Sequence, residues 1–184
     1  VFSTSGFSSK EANLVLAFGE RVFLEKVLPY KKIKDLYPKA DIVICSTSGQ
    51  ISNTSLVENN IVATAIDFEK TAIKVSEIDI LNNSDIQELG NIIKKDFFRE
   101  GLKSIFILSE GTFVNGTELI NELIKQTKET VPIFGGLAGD EYKFEKTIVG
   151  LNGDATQGKI VAIGFYGDAI QFGFGSKGGW SDFG

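Results

Sequence analysis

Short apolar runs, each closed by glycine or small polar residues, are the feature that most constrains this chain. Asn13 to Phe18 (NLVLAF) ends at Gly19, and Asp41 to Cys45 (DIVIC) runs into Ser46-Thr47-Ser48-Gly49. Lys103 to Leu108 (KSIFIL) runs into Ser109-Glu110-Gly111, and Pro132 to Phe134 ends at Gly135-Gly136. Runs this short, bounded by turn-forming residues, read as buried strands. A helical stretch fills Glu20 to Tyr37, and Pro29 breaks it because an interior proline loses a hydrogen bond and clashes with the preceding turn. Asn115 and Glu118 open another helix, with Leu119, Leu123 and Ile124 as its apolar stripe. The pattern is therefore strand–helix–strand, twice.

The rest of the chain attaches to these units. Asn60–Phe68 and Ala72–Asp79 read as a hairpin joined near Glu69-Lys70. Ser84 and Gln87 have capping-box spacing, Ile86, Leu89, Ile93 and Phe97 recur at helical spacing, and Gly101 supplies a stop. Asn152-Gly153 is a tight-turn signal, and Gly167-Asp168 separates Lys159–Tyr166 from Ala169–Gly175 as a second hairpin, so the last third reads as a meander. Ser176-Lys177-Gly178-Gly179-Trp180 reads as an exit loop. Ile61-Val62-Ala63 returns 99 residues later as Ile160-Val161-Ala162, and Phe18-to-Gly49 and Ser109-to-Gly139 are intervals of 31 and 30 residues. A duplication then predicts two β-α-β-β-β modules, roughly 13–80 and 103–176, with Gly49 equivalent to Gly139. The expected fold class is α/β (α+β), with mixed sheets covered by helices, for which an α-β-β-α sandwich is one arrangement.

Composition removes several functions. The 184 residues carry a net charge of −5, which disfavours a nucleic-acid or anionic-membrane surface. No apolar run approaches a membrane span, no leader peptide is evident, and the expected location is cytoplasmic. There is no histidine and no methionine, so His-based triads cannot be built and the commonest metal ligands are missing. One cysteine, Cys45, excludes disulfide frameworks and Cys-based zinc sites, and no cofactor is expected. Gly173, Gly175 and Gly178 match a dinucleotide spacing but lack the helix that must follow.

Ligands of open α/β sheets bind at the carboxyl ends of parallel strands. Three small polar loops occupy such ends: Cys45–Gln50, Ser109–Gly116 and Gly135–Asp140. They nominate Ser46, Thr47, Gly49, Ser109, Asn115, Gly136 and Asp140 as ligand-binding residues. Asp140 is suited to an ammonium group, and hydroxyls and backbone N–H groups to a carboxylate, which is the recognition chemistry of an amino-acid-like molecule. A buried Cys45 behaves as a small hydrophobe, and no base is at hand to activate it.

These loops resemble the FIST sensory domain, specifically its N-terminal half. Cys45-Ser46-Thr47-Ser48-Gly49-Gln50-Ile51 is similar to the family's C-S-T-x-G-E-I element, with Gln50 where the family often has Glu. Phe106-Ile107-Leu108-Ser109-Glu110-Gly111 with Asn115-Gly116, and Gly135-Gly136-Leu137-Ala138-Gly139-Asp140 with Phe144, Thr147, Asn152 and Gly153, continue the match. Gly164, Tyr166-Gly167 and Gly175 through Trp180 close it. The resemblance implies a single FIST N-type domain over 1–184 that works as an intracellular, non-catalytic sensor of small molecules. It further implies partnership with a C-terminal FIST half, missing from this chain, and with a signalling output domain. Relatives that accompany an F-box imply protein recruitment as the alternative, and an enzyme using Ser46, Thr47 or Cys45 is a third reading. Some members are reported to bind haem, a role not expected of a chain without histidine.

Overall fold

The computed structural model describes residues 10–52, 54–57, 59–81, 85–127, 131–173 and 175. Its first apolar run becomes β1 (Leu14–Gly19), followed by α1 (Arg21–Val27) and α2 (Tyr30–Leu36) and then β2 (Asp41–Ser46). Pro29 divides the helical stretch as expected: Leu28 takes a left-handed φ of 48° and Pro29 caps α2. Two short strands, β3 (Gln50–Ser52) and β4 (Ser55–Val57), form a hairpin before β5 (Ile61–Ile66) and β6 (Ala72–Asp79). Then come α3 (Ile86–Phe97), β7 (Leu102–Ser109), α4 (Gly116–Thr127), β8 (Ile133–Leu137), β9 (Val149–Leu151) and β10 (Lys159–Tyr166).

The long strands form two four-stranded sheets, β5-β1-β2-β9 and β6-β10-β7-β8. In each, a parallel pair (β1 with β2, β7 with β8) comes from a strand–helix–strand unit. Alternation along the strands then builds four layers. Val15, Ala17, Ile42 and Ile44 point from the first sheet to α1 and α2, where they pack with Leu24 and Ile33. Ile105, Ile107, Ile160 and Ala162 point from the second sheet to α3 and α4, against Leu89, Ile93, Phe97, Leu119 and Leu123. The intervening residues, Leu14, Val43 and Cys45 on one side and Leu108, Val161, Ile163 and Phe165 on the other, pack face to face. The result is an α-β-β-α sandwich, each fully buried aliphatic side chain contributing about 1.5–3 kcal/mol.

The sheets share a register. Ile61, Gly19 and Ser46 lie level across β5-β1-β2, as Ile160, Ser109 and Leu137 do across β10-β7-β8. Counting on from that level, Gly139 corresponds to Ser48, one residue away from the expected Gly49.

Several local expectations change. β5 and β6 are not a hairpin: β5 pairs with β1 in the first sheet and β6 with β10 in the second. Phe68, between them, meets Phe165 edge-on at 5.6 Å in the inter-sheet core and so anchors the crossing. The last third is not a meander, because β9 pairs with β2. Ala169–Gly175 forms no strand among the described residues. Instead Ile170 and Phe172 pack into the inter-sheet core, with Phe172 touching Phe134 and Phe165. The cap of α3 is Asp85, whose side chain accepts the Gln87 N–H. Ser84, Phe174 and the exit loop from Ser176 lie outside the described residues. No helix among the described residues is long and apolar enough to cross a membrane.

Candidate functional site

β1, β2, β7 and β8 all end at one pole of the sandwich, and the loops that leave them meet there. The backbone N–H of Gly139 donates to Ser46 O at 2.9 Å, and that of Ala138 donates to Ser109 O at 2.8 Å. The expected loop Gly135–Asp140 is strand as far as Leu137, and the residues that leave β8, Ala138–Asp140, lie between the other two loops. Gly139 is glycine for this reason, since a Cβ would sit 2.6 Å from Ser48 Oγ and 2.9 Å from its nitrogen.

Side chains latch the same junction. Ser46 is fully buried, and its Oγ accepts the Ile148 N–H at 3.0 Å. Ser109 Oγ donates to the Glu110 carbonyl at 2.9 Å. Glu110, also fully buried, accepts the N–H groups of Thr112 (2.7 Å) and Phe113 (2.9 Å) and the Thr147 hydroxyl (2.7 Å). Thr147 Oγ1 in turn accepts the Gly111 N–H. In the amide orientation that satisfies both ends, Gln50 donates to Val57 O and accepts from Thr47 Oγ1 and the Glu20 N–H. A glutamate there would have no N–H for Val57.

Asp140 already holds a cation. Its Oδ1 receives Arg21 Nε at 2.7 Å, and its Oδ2 receives the N–H groups of Glu145 and Lys146. Burial pushes the carboxyl pKa up, but the Arg21 guanidinium and the backbone donors outweigh it and leave Asp140 below the ordinary carboxylate range. The bond to Asp140 likewise raises Arg21. Arg21 also meets Glu25 at 3.1 Å, and Glu25 pairs with Lys146, so the 140–146 loop is clamped to α1. That loop turns through two left-handed non-glycine residues, Glu141 (φ 53°) and Phe144 (φ 52°).

Of the nominated residues, Ser46, Ser109 and Asp140 therefore spend their polar atoms inside the fold. Asn115 caps α4 through the N–H groups of Thr117 and Glu118. Thr47 is half-buried, while Asn115, Gly49 and Gly136 lie on the surface. The residues that sequence reasoning missed are Arg21, Glu110 and Thr147 as latches. An acid does follow both first strands, Glu20 after β1 and Glu110 after β7, and that echo was the available signal.

The outer face of the junction is apolar as well as polar. Phe113, Leu137, Tyr142 and Phe144 are 58%, 49%, 81% and 88% exposed, and Ile51 and Leu56 pair across the exposed β3–β4 hairpin. Two open clefts, of about 460 and 490 Å³, lie at the opposite pole beside the first residues of β7, lined by Arg99, Leu102 and Val131 and by Lys103, Pro132 and Phe172. Cys45 is sealed in the inter-sheet core, where burial pushes its thiol up to about 12. With that thiol enclosed and no histidine or methionine in the chain, tyrosine is the common haem ligand that remains.

Fold and site together define an α-β-β-α domain whose strand-end loops are locked to one another at one pole. The family model of the FIST N domain matches residues 13–184, and the chain belongs to that family of sensory domains. No curated protein matches it.

Proposed function

We propose that this domain senses a small amino-acid-like molecule at the strand-end junction without transforming it. The carrying observation is the latch: Ser46, Ser109, Glu110, Thr147 and Asp140 fix the loops from within. Thr47, Gly49, Asn115 and Gly136 stay at least partly exposed to meet a ligand, although the Thr47 hydroxyl also donates to Gln50 and the Asn115 side-chain carbonyl also caps α4. Preformed loops lose little entropy on binding, which favours recognition. Asp140 acts here through Arg21 and the 140–146 turn rather than as the ammonium anchor. Of the three residues considered for chemistry, Cys45 and Ser46 are inside the fold and the half-buried Thr47 donates its hydroxyl to Gln50, which supports a role without catalysis.

The junction is open on its apolar side, so a second surface supplies the missing wall. The downstream FIST half is the proposed occupant, with a signalling output beyond it, in the cytoplasm. The common register of the sheets supports reading 13–80 and 103–176 as copies of one module. Calorimetry with an amino-acid panel tests the site, on residues 1–184 and on the chain extended through the downstream half. Weak or no binding to the first and at least tenfold tighter binding to the second is expected. Binding whose amide shifts map to the clefts at the opposite pole overturns the assignment.

The exposed Tyr142 and Phe144 favour a second reading, a protein-recruitment module, because aromatic side chains on a preformed turn are typical interface anchors. Under that reading, Tyr142→Ser abolishes partner capture and no amino acid binds either chain.

A further inference from the structure

The two sheets are closed differently at equivalent edges. The outer side of β2 is covered by β9, which runs antiparallel with Val43 opposite Leu151, Ile44 opposite Gly150 and Cys45 opposite Val149. The outer side of β9 is closed by the bridge from Val149 to Thr156. By the common register, Phe134, Gly135 and Gly136 of β8 stand where Val43, Ile44 and Cys45 stand in β2. Among the described residues, no strand lies against their outer side.

The hydrogen-bonding groups there are set out for a partner. Pro132 O accepts the Ile105 N–H, and the Ala138 N–H donates to Ser109 O, so alternate residues of β8 face β7. The N–H and C=O groups of Ile133, Gly135 and Leu137 consequently point away from the sheet. Proteins blunt such edges with charged residues. β6, at the other edge of the same sheet, carries Lys74 and Glu77, whereas β8 reads Ile-Phe-Gly-Gly-Leu with no charge. Gly135, Gly136 and Leu137 are exposed, and a side chain built at Gly136 would meet nothing within 4 Å. The half-buried rings of Phe106 and Phe134, with centroids 5.2 Å apart, form the end of the inter-sheet core next to this edge.

We propose that β8 is a strand-addition site, taking an extended antiparallel strand from a partner polypeptide with apolar side chains at alternate positions. The chemistry of the occupant follows from β9. Its Val149 and Leu151 enter the inter-sheet core and Gly150 lies between them. An apolar residue on either side of a small one would cover Phe134 and fill the space at Gly136 in the same way, while its backbone meets Ile133, Gly135 and Leu137. This site shares Gly136 with the small-molecule reading but does not depend on it.

The probe is an N-acetylated, C-amidated peptide of residues 147–153, Thr-Ile-Val-Gly-Leu-Asn-Gly, titrated to millimolar concentration into the ¹⁵N-labelled chain. Saturable amide shifts at Ile133, Gly135 and Leu137 are expected. A peptide with aspartate in place of both apolar residues that flank its glycine, and the variant Gly136→Asp, should each weaken binding on the order of tenfold or more. Gly136→Asp adds its side chain into open space, so its melting temperature should match the parent's. Shifts confined to Asp41–Ser46, which report displacement of β9, overturn the proposal, as does the absence of shifts at millimolar peptide. A concentration-dependent dimer joined through β8 of both chains assigns the edge to a second copy and overturns the separate partner.

Discussion

The first sheet flanks its three-strand kernel β5-β1-β2 with β9, and the second flanks the corresponding β10-β7-β8 with β6. Within the kernels, positions match level by level, yet the residues at the matching levels differ in kind. Ile44 is wholly buried, and its counterpart Gly135 is exposed at φ 147°. Ser46 is wholly buried and bonded to Ile148, and its counterpart Leu137 is half exposed. Alternating apolar residues are enough to make a kernel. What lies against its edge then decides whether a position is isoleucine or glycine, latch or surface.

The largest effect that would break this contrast is expected at Gly135. Gly135→Ala places a Cβ 1.8 Å from Ile107 O, in a conformation that side chains avoid, and should cost about 4 kcal/mol or more. Gly136→Ala, one residue on, should stay within about 0.5 kcal/mol. Urea titration of both variants measures the difference. Equal losses would mean that β8 is not the open edge described here.

The clamp at Asp140 comes next. Arg21→Ala leaves a buried carboxylate whose cation is gone, for a loss of about 3 kcal/mol. Unfolding midpoints read it, and a loss below about 0.5 kcal/mol would reassign Arg21 to the solvated surface. The same pair predicts a pH dependence. Asp140 has a depressed pKa in the folded state, so its contribution is complete above the unfolded value of about 4 and is lost as pH falls through the lower folded value. The stability gap between the parent and Asp140→Asn should therefore be constant near neutrality and close in acid below about pH 4. A gap that widens in acid contradicts the pairing.

Much of this architecture was legible from the sequence, and the boundary of legibility is physical. The kernel strands announce themselves because alternation on two packed faces leaves continuous apolar runs such as DIVIC and KSIFIL. The helix starts at Asn115 and the break at Pro29 are local events and are equally plain. Pairing at the edges is not local. β5 and β6 are neighbours in sequence and look like a hairpin, but five residues carry the chain from one sheet to the other. β3 and β4 are too short to carry an apolar run, with only Ile51 in one and the pair Leu56-Val57 in the other. At the site, the converging loops could be read from their small polar residues. Their inward use could not, because the partners that absorb Ser46 and Asp140 are Ile148 and Arg21, about a hundred residues away along the chain.

The smallest effect sharpens the reading of the exposed turn. Phe144 is held in a left-handed conformation that a bulky side chain disfavours. Phe144→Asn should therefore stabilise the isolated domain by about 0.5–1 kcal/mol, visible as a raised melting temperature. A drop instead would show that the ring packs on this domain rather than awaiting a partner.

The exchange of β6 and β9 between the sheets also governs how the chain must be made. During synthesis β1, β2 and β5 emerge early, but the first sheet lacks its outer strand until Val149–Leu151 appears, long after the helix α3 has left the ribosome. β6 emerges early as well and waits for β10, the strand between it and β7. Pairings of such long sequence separation fold slowly, and they leave strand edges uncovered meanwhile. Neither sheet is finished before the other, so the nascent domain commits to its structure late and nearly all at once.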